Sequence, residues 1–91
     1  MYKNLGIEVG ELVDKKQEAY GNSFAKCEDF FKLLYPDGIL PNQYSDMLLI
    51  ARIFDKMMRL ATNKGAFDES PYLDMAGYSL LGLKKDELKG E

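Results

Sequence analysis

Residues 42 to 63 carry the longest apolar pattern in the chain. Leu48, Leu49, Ile50, Ile53, Phe54, Met57, Met58, Leu60 and Ala61 recur at helical spacing and cover most of a helix's circumference. Pro41 suits the first turn of such a helix, and Asn63-Lys64-Gly65 suits its end. A helix with so narrow a polar edge needs cover on several sides, so the rest of the chain is expected to pack around it. The two Met residues read as adaptable core filler rather than as ligands.

Three further helices are expected. Leu5, Val9, Leu12, Val13 and Tyr20 repeat at helical spacing over about residues 5 to 19. Gly6 and Gly10 read as a weak first turn rather than as a close helix contact. "YGNSF" breaks the pattern, because Gly21 and Asn22 tolerate left-handed backbone, and Asn22 or Ser23 can cap the next helix. Phe24, Cys27, Phe30, Phe31 and Leu34 form a shorter stripe that stops at the "PDG" turn of residues 36 to 38. Ser70-Pro71 is a strong helix start, and Leu73, Ala76, Gly77, Leu80 and Leu81 give that helix an apolar face. Gly82 reads as its stop, leaving "KKDELKGE" as a charged, loosely ordered tail. The internal KDEL is not a retrieval signal. No strand pattern competes, so the fold class is all-α, a single domain built as a bundle of about four helices.

Composition limits the chemistry. The 91 residues include no histidine and one cysteine, Cys27, which removes His-based catalysis, an internal disulfide and Cys-based metal clusters. Cys27, set among aromatics, reads as a packed thiol with no base to activate it. A net charge of −3 argues against a general grip on nucleic acid. The longest apolar run, "MLLIA", is far short of a membrane span, no signal-peptide pattern is read, and a cytoplasmic setting is expected. With 46% hydrophobic residues, the chain has more apolar material than a domain of this size can bury alone. Homo-oligomerisation is therefore expected to complete the core, with helix three at or near the interface.

Arg52, Asp55, Lys56 and Arg59 lie three and four residues apart and share one edge of helix three. Two readings remain open. The charges form solvated intrahelical ion pairs, or the cations grip the phosphate of a small ligand, for which arginine's planar fork is suited. If the last helix packs antiparallel, Asp55 and Asp74 face one cleft and could hold Mg2+, which takes oxygen ligands. Tyr20 and Tyr78 could stack on a base or bond a sugar, or be half-buried core tyrosines.

Three blocks, "YGNSF" (20–24), "RIFDKMMRL" (52–60) and "LDMAGYSLLGL" (73–83), resemble small phage and prophage helical proteins. These are similar to the MazG-like, all-α nucleoside-triphosphate pyrophosphohydrolase superfamily and to nucleotide-modification-associated domains. The resemblance spans roughly residues 15 to 83. It implies magnesium held by a Glu-x-x-Glu on one helix and a Glu-x-x-Asp on a later one. By position, the second member of each pair is Asp55 and Asp74, while Arg52 and Pro71 stand in place of the first members. Glu18 or Glu69 could supply a missing carboxylate. The expectation is a phage-type protein that binds a nucleotide or other phosphorylated small molecule with little turnover, tuning nucleotide pools or sequestering a defence signal. The expected ligand-binding residues are Arg52, Lys56, Arg59, Tyr20 and Tyr78. A magnesium-dependent pyrophosphohydrolase and a protein-interaction module that inhibits a host factor are the competing expectations.

Overall fold

The computed structural model describes residues 1–65 and 69–90. Among these, four α-helices and one short 3-10 turn account for the regular structure: α1 (Tyr2–Tyr20), α2 (Ser23–Leu34), the 3-10 turn (Pro41–Gln43), α3 (Tyr44–Thr62) and α4 (Pro71–Gly90). The all-α class read from the sequence holds. No helix among the described residues is long and apolar enough to cross a membrane.

Gly21 and Asn22 reverse the chain between the first two helices. Gly21 takes φ 61°, ψ 38° and donates its N–H to the Gln17 carbonyl at 2.8 Å, the left-handed stop that glycine accepts without penalty. Asn22 follows at φ 60°, and its Oδ1 accepts a hydrogen bond from Gln17 Nε2 at 2.9 Å rather than capping α2. Pro41 starts the 3-10 turn, and α3 proper begins at Tyr44, two residues later than expected. At the other end of the molecule Ser70 Oγ accepts the Leu73 N–H at 3.4 Å, and Pro71 occupies the first turn of α4, so the Ser-Pro start is as read.

Helix α3 is the hub, packing against α1, α2 and α4. Its contact with α4 runs antiparallel along almost its whole length: Lys85 pairs with Asp46 at 3.1 Å, and Lys56 pairs with Asp74 at 3.5 Å. Gly82 sits inside this contact. A Cβ there would lie 3.2 Å from Leu49 Cδ1, so the missing side chain lets two helices approach instead of ending one. The expected stop at Gly82 is therefore corrected: α4 runs on through Gly90, because residues beyond 82 still pack on the start of α3. Phe30 and Phe54 stack with ring centroids 4.7 Å apart, joining α2 to α3.

The cover on α3 is thinner than its sequence suggests. Ala19, Phe54 and Pro71 are the buried apolar residues among those described, while Leu48 and Met57 stay exposed. Residues 1–18, nearly all of α1, are exposed. The Cα radius of gyration is 15.8 Å, against about 12 Å for a compact domain of this length.

Candidate functional site

The polar edge of α3 divides among three neighbours. Arg52 and Lys56, one helical turn apart, face α4 and the C-terminal turn of α1. The Lys56 ammonium donates to the Tyr20 hydroxyl at 3.4 Å and lies 3.5 Å from Asp74 Oδ2. It also stands 5.4 Å from the Tyr20 ring centroid, and Lys16 stands 5.7 Å from the same centroid. Arg52 is exposed, and its guanidinium carbon lies 5.8 Å from the Tyr78 ring centroid, within reach of a cation–π contact. Among the described residues Arg52 makes no ion pair. One junction thus gathers three cations, two tyrosine rings and Asp74.

Lys56 sets the electrostatics of this junction. Burial by itself would lower its pKa. The hydrogen bond to Tyr20 and the charges of Tyr20, Asp74 and Tyr78 outweigh that effect and hold it above the ordinary lysine value. Because the folded pKa is raised, the stability that Lys56 contributes is fully present below about pH 10.4, the unfolded value. It is lost as the pH rises through the higher folded value. The difference in melting temperature between wild type and Lys56→Met is expected to stay constant from neutral pH to the unfolded lysine pKa and to shrink above it. Thermal melts across alkaline pH check this, and a gap that widens in that range would contradict it.

Asp55 looks the other way, into the α2 contact. Its Oδ1 accepts a 2.6 Å hydrogen bond from Ser23 Oγ, and Ser23 is buried. Desolvation, and then the Asp55 charge, push the half-buried Cys27 thiol upward in pKa, which keeps it protonated at neutral pH. Between α2 and α3 lies an apolar groove of about 450 Å³ lined by Phe24, Ala25, Cys27, Glu28, Phe31 and Ala51.

Arg59 is placed elsewhere. It has no exposed surface. Its Nη1 lies 3.3 Å from Glu69 Oε2, and its Nη2 donates to the Glu69 carbonyl. Its Nε has no partner among the described residues. The structure thus sets Arg59 apart from the other expected phosphate ligands: its guanidinium ties Glu69, the residue before Ser70, to α3.

The expected Mg2+ pair also changes character. Asp55 is taken by Ser23 and Asp74 by Lys56, and among the described residues no three His, Cys, Asp or Glu side chains gather as a metal could require. An ammonium against one of two carboxylates does not fit a hard cation that needs several oxygen ligands. Glu69, one candidate replacement, holds Arg59, and Glu18 is exposed on α1.

Of the residues read from sequence, Tyr20, Arg52, Lys56, Asp74 and Tyr78 come together, while Asp55 and Arg59 do not join them. Sequence reasoning misses Lys16, for which the only signal is its spacing of four from Tyr20 on one helix. The resemblance to pyrophosphohydrolases rests on its three sequence blocks alone. No protein-family model matches the chain, nor does any curated protein or solved structure, and the reading of the site stands on its own geometry.

Proposed function

We propose that the chain binds a small phosphorylated ligand at the Tyr20–Arg52–Lys56–Tyr78 junction and does not turn it over efficiently. The observation that carries this reading is Arg52: an exposed guanidinium without a carboxylate partner among the described residues, held over the Tyr78 ring beside Lys56. A planar fork in that state offers bidentate hydrogen bonds to phosphate oxygens. The tyrosine rings offer a surface for a base, and a nucleotide is the form the sequence resemblance favours. A phage setting, with the protein sequestering a nucleotide or a nucleotide-based defence signal, belongs to the same proposal. Binding without hydrolysis is supported by Asp55 and Asp74, each engaged by a protein group rather than free for metal.

Thermal shift with inorganic pyrophosphate and with ATP tests this. A rise in melting temperature without release of product is expected. Arg52→Ala should leave the free protein within about 1 kcal/mol of wild type and weaken binding by about 1.5–3 kcal/mol. Arg52→Lys should recover only part, because an ammonium lacks the fork. Equal binding by wild type and Arg52→Ala would remove the support for the site. A second reading, a protein-interaction module, is favoured by the exposed apolar residues of α1 and by Phe24, which is 89% exposed.

A further inference from the structure

We propose that α1 pairs antiparallel with α1 of a second copy of this chain. The proposal does not rest on a ligand at the junction, although Lys16 borders both surfaces. Helix α1 is 19 residues long, which makes it about 28 Å from end to end. Ala19 is buried and Tyr20 half-buried where they meet α3, while residues 1–18 are exposed. Apolar side chains do not stop where the cover stops. Tyr2, Leu5, Val9, Leu12, Lys16 and Ala19 follow alternating steps of three and four, the spacing of a two-helix seam. The stripe that buries Ala19 against α3 thus continues, uncovered, over Leu12, Val9 and Leu5.

The amount of surface fits a missing copy. A compact monomer of 10.4 kDa exposes about 5,400 Å², and this chain exposes 7021 Å². A standard interface removes about 800 Å² from each partner, well within that excess.

Charge selects the orientation and the register. Glu8 and Lys15 flank the seam on the same side, seven residues apart. In an antiparallel pair with Val9 opposite Leu12 of the second copy, Glu8 of each chain faces Lys15 of the other. Leu5 then lies opposite Lys16, whose aliphatic stem can cover it. Sliding the helices by one heptad sets Glu8 against Glu8. In a parallel pair Glu8 faces Val13 and Lys15 faces Tyr20, so neither charge finds a partner. The antiparallel register with Val9 on Leu12 is the one that gives both Glu8 and Lys15 a partner.

Sedimentation equilibrium of the full chain at low salt, across micromolar to hundreds of micromolar concentrations, tests this. The wild type should be a dimer at the upper end, and Leu12→Asp should be monomeric with an unchanged helical circular-dichroism spectrum. Glu8→Lys and Lys15→Glu should each weaken the dimer about tenfold, since two attractive contacts become two repulsive ones. The double variant Glu8→Lys/Lys15→Glu restores opposite charges across the seam and should return to near wild-type affinity. A monomeric wild type, a dimer indifferent to Leu12→Asp, or a double variant no tighter than the single ones would overturn the proposal.

Discussion

Gly21→Ala should destabilise the protein by about 2–4 kcal/mol, combining the left-handed backbone cost with steric overlap. The φ of 61° disfavours any side chain. A Cβ built there would also stand 2.6 Å from Thr62 Cγ2 and 3.1 Å from Met58 Cε. Thr62 cannot readily turn aside, because its hydroxyl bonds the Ala19 and Met58 carbonyls. The overlap must then push α1 away from the end of α3, and Tyr20 moves with it. Since single domains hold roughly 5–15 kcal/mol in total, a large share of the native margin goes with one methyl group. Urea denaturation followed by circular dichroism measures the loss, and a cost below about 1 kcal/mol would mean that the α1–α3 contact is looser than described.

Arg59→Ala should be comparably damaging, at about 2–4 kcal/mol. The substitution leaves a cavity where a fully buried side chain stood and strips the Glu69 carbonyl of its donor. The Glu69 carboxylate is more than half exposed and returns to water, so the loss falls short of that for a fully buried ion pair. Arg59→Lys should recover a minority of it, because one ammonium cannot reach both Glu69 oxygens along the geometry of the fork. The same denaturation experiment reads both variants. A neutral Arg59→Ala would return Arg59 to the pool of cations free to meet a ligand.

Arg52 and Arg59 together show where sequence reasoning stops. Both lie on the polar edge of α3 at a spacing of seven, and nothing in that spacing separates an exposed guanidinium from a buried one. Arg59 meets Glu69, which reaches it from outside α3, whereas Arg52 meets no carboxylate among the described residues. Asp55 and Lys56 are adjacent in the chain yet serve opposite sides, because one helical step turns a side chain by about 100°. Local signals are legible where they act locally: the Gly21 turn, the Ser70-Pro71 start, and the stripes of all four helices. Gly82 misleads because a glycine near a helix end has two causes, a stop or a close approach. Only the position of Leu49 on the neighbouring helix decides between them. The excess of apolar residues is also visible in the sequence, but not their place: uncovered surface lies largely on α1 and α4, with α3 held in the middle.

The binding claim is most directly tested by an amide NMR titration of the wild-type chain with inorganic pyrophosphate. Perturbations are expected to cluster at the C-terminal turn of α1 around Lys16 and Tyr20, at Arg52 and Lys56 on α3, and at Asp74 and Tyr78 on α4. They should saturate, and they should fade in Arg52→Ala while the rest of its spectrum stays in place. Absence of shifts at these positions up to millimolar pyrophosphate, or shifts centred on other surfaces and unaffected by Arg52→Ala, would contradict a phosphate site at this junction.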